Sequence, residues 1–168
     1  HRDLKPSNLM IGTHGQVYVV DWGLALLLRG ERLTSDEGIL VGTPGYMAPE
    51  QTTDDPTLVD FRTDVYGIGG ILYRMLTMRR PHPGRLPEVI DHTRHGDVIH
   101  PQDLLPHAVL PPELCRIAMK ALQKDKDDRY PTIEALKNDL MQFLRGGGWL
   151  ETRTYQKGSL IIEQGAFA

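Results

Sequence analysis

The sequence predicts a mainly helical α+β fold with a small β-hairpin near its start and a short β-rich tail. Three observations support this prediction. Two short apolar runs flank a glycine-containing turn at 9–20, helical apolar periodicity recurs three times between 60 and 144, and two strand-like runs follow position 151. With 168 residues, 40% of them hydrophobic, the chain is long enough for one core.

The hairpin is predicted from the apolar runs at 9–11 and 17–20, because the glycines of GTHGQ between them suit a tight turn. The pattern from 22 to 42 sustains no period, and RGERLTSDEG within it is polar and flanked by glycine. This segment is therefore predicted to be a long surface loop, and loops of that length are usually functional.

Three amphipathic helices are predicted in the second half, across 60–77, after the PPE at 111–113 and across 133–144. A stretch rich in proline and histidine at 81–111 has room for one short helix near 87–95. Three glycines at 67, 69 and 70 lie inside the first helix, where they predict close approach of another backbone. RGGGW then ends the last helix, and 146–151 is predicted to be a linker.

Composition indicates neither a nucleic-acid partner nor a membrane segment, because the net charge is −3 and no apolar run reaches the ~18 to 20 residues of a membrane helix. The single Cys115 cannot form an internal disulfide, which fits a reducing cytosol and predicts a cytoplasmic location. Its apolar neighbours predict a buried side chain. His92 and His95 have a ligand-like spacing without a cysteine or paired carboxylate, so the histidines of 82–107 are interpreted as surface side chains.

Polar residues with catalytic chemistry cluster around the hairpin. HRDLKPSN places a carboxylate at Asp3, an ammonium at Lys5 and an amide at Asn8 in one short loop, and DWG places Asp21 after the second apolar run. Amide and carboxylate oxygens brought together by a hairpin can hold Mg²⁺, while a free carboxylate nearby can orient a hydroxyl. This pattern is typical of phosphoryl transfer, in which catalysis is mainly positioning and charge neutralisation.

Three motifs occur in order along the chain: HRDLKPSN, DWG and GTPGYMAPE. Together they resemble the C-terminal lobe of eukaryotic-like (Hanks-type) protein kinases, in the style of bacterial Ser/Thr kinases, over residues 1–145. Lysine followed by proline in the first motif is the Ser/Thr form. The resemblance implies an enzyme that transfers the γ-phosphate of ATP to a protein hydroxyl, with ATP and Mg²⁺ as cofactors and a protein as substrate.

The resemblance also implies a role for each matching residue of the catalytic machinery. Asp3 would accept or orient the proton of the substrate hydroxyl, and Lys5 would steady the γ-phosphate. Asn8 and Asp21 would hold Mg²⁺. The alternative is a pseudokinase, a regulatory binding module that keeps the fold without turnover; the presence of both metal ligands and Asp3 argues against it.

Regulatory residues are less well matched. Arg2 resembles the arginine that pairs with a phosphate on the loop in kinases activated by loop phosphorylation. Many relatives carry the phosphorylated threonine four residues before Thr43, but this chain has Ile39 there. Thr34 and Ser35 are the nearest alternatives, and they are also consistent with solvated loop hydroxyls. Thr43 resembles the threonine that helps to form the substrate pocket and bonds towards the catalytic loop.

The resemblance assigns structural roles to three charged residues. Glu50 and Arg129 match the two partners of a buried ion pair, and Asp64 matches the aspartate that braces the backbone of the catalytic loop. Trp22 stands where the family most often has phenylalanine. Its indole is expected to pack with His1 and to keep the apolar bulk, so activity is expected to survive.

The glycine-rich loop, the ATP-anchoring lysine and its glutamate partner would all precede His1, so the resemblance predicts a chain that begins inside the domain and is inactive alone. At the other end, TRTYQKGSLIIEQGAFA at 152–168 is similar to the first strands of a cyclic-nucleotide-binding domain. An unrelated hairpin or a disordered tail remains the alternative. The full protein would then couple a cyclic-nucleotide sensor to the kinase.

Overall fold

The computed structural model describes residues 1–25 and 42–146. The predicted hairpin is present as β1 (Leu9–Ile11) and β2 (Val17–Val19), which pair antiparallel with Leu9 opposite Val19. Short 3-10 turns precede and follow it, at Pro6–Asn8 and Trp22–Leu24. The described residues then form helices α1 (Arg62–Thr77), α2 (Leu86–His95), α3 (Pro101–Leu104), α4 (Pro112–Ala121) and α5 (Ile133–Arg145). The mainly helical α+β prediction is therefore confirmed.

Local sequence explains where the helices begin and end. The side chain of Thr132 accepts a hydrogen bond from the Ala135 N–H at 3.0 Å and so caps α5. Proline opens α4 at Pro112, where the absent N–H would have had no helical partner. Gly96 ends α2 with a φ of 76°, a left-handed conformation that glycine adopts without steric cost.

Helix α1 is the centre of the packing and contacts α3, α4 and α5. The larger core cluster joins α1, α4 and α5 through buried apolar side chains: Val65, Ile117, Ala121, Tyr130, Leu136 and Phe143. The glycines of α1 permit close approach, because a Cβ on Gly69 would lie 2.8 Å from the Cβ of Ala121. A Cβ on Gly67 would likewise lie 2.8 Å from the Cβ of Leu4, so α1 supports the loop that carries the candidate catalytic residues.

One prediction about the histidines is wrong. His82 is only 1% exposed, and its Nε2 lies 2.8 Å from the Tyr66 hydroxyl of α1. Burial lowers the pKa of His82 to about 4, so this imidazole is neutral at pH 7. The PHPG segment at 81–84 has no periodicity that distinguishes buried from exposed positions. His82 is buried because it contacts Tyr66 of α1, whereas Pro83 and Gly84 are exposed. His92 and His95 are exposed, as predicted.

Cys115 is buried in α4, as its apolar neighbours predict, and burial raises the pKa of its thiol.

Across 1–25 and 42–146, no helix is both long and apolar enough to cross a membrane. Within the same ranges, no three histidine, cysteine, aspartate or glutamate side chains are grouped as a metal site.

Candidate active site

Asp3 lies at the centre of the candidate active site, and its two carboxylate oxygens have different surroundings. Oδ2 accepts hydrogen bonds from Lys5 Nζ at 2.6 Å and from Asn8 Nδ2 at 3.2 Å. Oδ1 is buried and has no hydrogen-bond partner in the described part of the chain. A cation and an amide thus hold one oxygen, while the other keeps open lone pairs, as a proton acceptor requires.

Two distant parts of the chain hold the backbone that carries Asp3. Arg2 has a φ of 66°, a left-handed conformation that costs roughly 1 to 2 kcal/mol for a residue with a Cβ. Asp64 of α1 accepts hydrogen bonds from the backbone nitrogens of Arg2 and His1 at 2.9 and 2.8 Å. Gln51 Nε2 donates to the Arg2 carbonyl at 2.6 Å. These contacts stabilise the strained residue and set the direction of the Asp3 side chain.

The hairpin brings Asn8 and Asp21 to one edge of the site. The Asn8 carbonyl accepts a hydrogen bond from the Val20 N–H at 2.9 Å, and Asp21 follows directly. Asn8 Nδ2 donates to the Asp3 carbonyl at 2.9 Å, whereas the Asn8 Oδ1 accepts no hydrogen bond from the described residues. Asp21 has a φ of 63°, and its exposed carboxylate has no hydrogen bond or ion pair with them either. Two hard oxygen ligands are therefore open, a donor set that fits Mg²⁺.

His1 and Trp22 pack together beside this edge, as expected. Their ring centroids are 4.8 Å apart and the rings are tilted by 60°. The His1 Nε2 lies 3.0 Å from the Val20 carbonyl oxygen, and the Trp22 indole N–H donates to the Val19 carbonyl at 3.0 Å. The two rings therefore cover the end of β2 while their polar atoms remain hydrogen-bonded.

The GTPGY loop at 42–46 lies against Lys5. Thr43 Oγ1 accepts a hydrogen bond from Lys5 Nζ at 2.5 Å, so this ammonium bridges Asp3 and the loop. A turn follows, in which the Tyr46 N–H donates to the Thr43 carbonyl at 3.0 Å. Gly45 has a φ of 92°, which a side chain would strain. The loop is thus held next to the carboxylate that is predicted to orient the substrate.

Glu50 and Arg129 form a buried ion pair below this loop. Two parallel hydrogen bonds of 2.8 Å join the guanidinium to the carboxylate, and the Arg129 side chain is fully buried. The guanidinium also donates to three backbone carbonyls, and Thr63 Oγ1 donates to Glu50 at 2.7 Å. The pair anchors the segment after the GTPGY loop to α1 and to the turn before α5.

Two regulatory candidates, Thr34 and Ser35, lie outside the described residues, so their role remains a prediction. The Arg2 guanidinium donates to the Leu24 carbonyl.

Gln51 is a positioning residue that the sequence did not reveal. Its contact with Arg2 joins residues 49 positions apart, and no local pattern reports such a contact.

Comparison with known proteins agrees with this geometry. The protein kinase domain family matches residues 1–141. Serine/threonine-protein kinase PknD of Chlamydia felis is 38% identical over 162 residues, which cover 87% of this chain and 17% of that protein. PknD of Chlamydia trachomatis serovar L2b is 33% identical over 167 residues, covering 87% and 18% respectively. The chain thus spans about a sixth of the length of these relatives. From the motifs, the hairpin site and the extent of the family match, we conclude that this chain belongs to the protein kinase family.

Proposed function

We propose that this chain is the catalytic lobe of a protein serine/threonine kinase, which transfers the γ-phosphate of ATP to a hydroxyl of a protein substrate. The observation that carries the proposal is the environment of Asp3. Its Oδ2 is held by Lys5 and Asn8, and its Oδ1 is buried with no hydrogen-bond partner among the described residues. A buried acceptor that lacks a donor is costly, so a substrate hydroxyl that opens the site far enough to reach Oδ1 would gain a favourable hydrogen bond.

Each residue of the site has a separate role in the transfer. Asp3 orients the hydroxyl and accepts its proton as the oxygen attacks phosphorus. Lys5 lies between Asp3 and Thr43, where its positive charge favours an incoming phosphoryl group. When bound, ATP supplies the phosphoryl group and Mg²⁺ neutralises its negative charge.

Asn8 and Asp21 are the residues that would hold Mg²⁺. Asn8 Nδ2 donates hydrogen bonds to Asp3, so the Asn8 Oδ1 points away from Asp3 and can act as a neutral ligand. Asp21 supplies a carboxylate at the end of β2, held in a left-handed conformation of the kind that is enriched at functional sites. Mg²⁺ prefers one or two such protein oxygens together with phosphates and water.

Replacing Asp21 with asparagine is expected to raise the Mg²⁺ concentration for half-maximal activity by about 10- to 100-fold, because the anionic ligand is lost. The measurement is phosphate transfer from ATP to a generic protein substrate across a Mg²⁺ titration, in full-length protein that includes the ATP-binding lobe. Asp103→Asn, an exposed change of the same chemistry on α3, is the control. An unchanged Mg²⁺ dependence in Asp21→Asn would contradict the assignment.

We also propose that 152–168 begins a cyclic-nucleotide-binding domain that regulates the kinase. The support is the strand-turn-strand pattern of the sequence, because these residues lie outside the described part of the chain. Cyclic AMP or cyclic GMP is then expected to change the kinase rate of the full-length protein. If it also changes the affinity for ATP, ATP must change the affinity for the cyclic nucleotide by the same factor. Calorimetric titration of both nucleotides tests this, and absence of binding would eliminate it.

A further inference from the structure

A positively charged segment lies next to the candidate active site and is not used by the proposed mechanism. The sequence from 65 to 87 contains four arginines, Arg74, Arg79, Arg80 and Arg85, and no acidic residue, although the whole chain carries a net charge of −3. Arg79, Arg80 and Arg85 are exposed. Glu88 follows the segment and accepts a hydrogen bond from the Arg85 N–H at 3.0 Å, so the uncompensated positive charge is concentrated at Arg79 and Arg80.

The guanidinium of Arg80, like those of Arg79 and Arg145, has no partner among the described residues. Arg62, Arg116 and Arg129 each form an ion pair with a carboxylate. Arg80, by contrast, forms neither a hydrogen bond nor an ion pair with any described residue. A guanidinium carries five donors in a planar fork that matches a carboxylate or a phosphate. The Arg80 guanidinium is therefore available to bind a carboxylate or a phosphate.

Arg80 lies against the GTPGY loop. A Cβ built on Gly45 would lie 3.0 Å from the Arg80 Cδ and 3.5 Å from its Cβ, so the aliphatic part of Arg80 lies over the backbone of Gly45. Gly45 is two residues after Thr43, which contacts Lys5, and Lys5 contacts Asp3. The aliphatic chain is thus held on the loop beside the phosphoacceptor position, while the residue as a whole is exposed.

We propose that Arg80 is a specificity-determining residue that binds an anionic side chain, a carboxylate or a phosphate, near the phosphoacceptor residue of the protein substrate. This inference rests on the proposed kinase function. Arg74 and Arg79 contribute positive potential, although the Arg74 guanidinium also donates to the Met78 carbonyl. The kinase accordingly prefers acidic peptide substrates over neutral or basic ones.

The test uses the full-length protein and a series of neutral threonine peptides in which one glutamate is moved stepwise from one side of the threonine to the other. One position is expected to raise kcat/KM about five- to tenfold over the neutral peptide, through an ion pair at the surface of the protein. The gain should appear in KM, with kcat nearly unchanged, because an ion pair with a side chain that does not react is equally strong in the ground state and the transition state. A further peptide carries phosphoserine at that position. Comparing its kcat/KM with that of the glutamate peptide shows whether a phosphate or a carboxylate is preferred.

Variants of Arg80 connect this preference to one residue. Arg80→Ala is expected to abolish the gain, and Arg80→Glu to transfer it to a peptide with lysine at that position. Lys137→Ala, which removes an exposed positive charge on α5, is the matched control and should leave the preference unchanged. Equal kcat/KM for all peptides, or a glutamate preference that survives in Arg80→Ala, overturns the role of Arg80. Absence of transfer to every peptide would instead contradict the proposed kinase function and this inference with it.

Discussion

Replacing Asp3 with asparagine is expected to lower kcat for phosphate transfer at least about 100-fold in the full-length protein, because general-base contributions are ~10² to 10⁴-fold. Asparagine keeps the shape of the side chain but cannot accept the proton of the substrate hydroxyl at neutral pH. The KM for ATP should change much less than kcat, since Asp3 acts on the hydroxyl in the transition state.

Two measurements separate this effect from a folding defect. The thermal unfolding of Asp3→Asn should stay close to that of the unaltered protein, and Asp54→Asn, an exposed substitution of the same chemistry, should retain full activity. Turnover in Asp3→Asn within a few-fold of the unaltered rate would show that the residue is not the proton acceptor. Absence of turnover in the unaltered full-length protein would instead favour the pseudokinase alternative.

Replacing Arg129 with methionine is expected to lower the free energy of unfolding by about 3 to 5 kcal/mol. The substitution leaves the buried Glu50 carboxylate without its cation, and it removes the donors of three backbone carbonyls, those of Arg62, Gln123 and Lys124. Denaturant unfolding of the full-length protein, monitored by a probe in this domain, measures the change.

The double substitution Glu50→Leu with Arg129→Met should recover part of the loss, because no buried charge is then left unpaired. Arg116→Met is the surface control. Arg116 pairs with Glu113 and Asp139 but is 46% exposed, so its loss should cost about 1 kcal/mol or less. An Arg129→Met variant as stable as Arg116→Met would mean that the buried pair does not hold this part of the domain together.

Much of the fold could be predicted because it depends on local patterns. The turn glycines and flanking apolar runs of 9–20 predicted the hairpin, and apolar spacing predicted α1, α4 and α5 to within two residues at most boundaries. The short helix α3 (Pro101–Leu104) was not predicted, because a single helical turn contains too few residues to show a period. The burial of His82 was also mispredicted, since it depends on the distant Tyr66.

The sequence by itself determined the chemistry of this protein: which acid, base and amide groups are present, their order along the chain, and the family that this order indicates. Tertiary structure alone decided how these groups are used. The left-handed Arg2 and the position of Arg80 over Gly45 depend on contacts between distant residues, and the difference between the two oxygens of Asp3 depends on how the loop folds Lys5 and Asn8 against one of them. Sequence patterns report the faces of single helices and strands, whereas these contacts arise only when α1 and the GTPGY loop pack against the first residues of the chain.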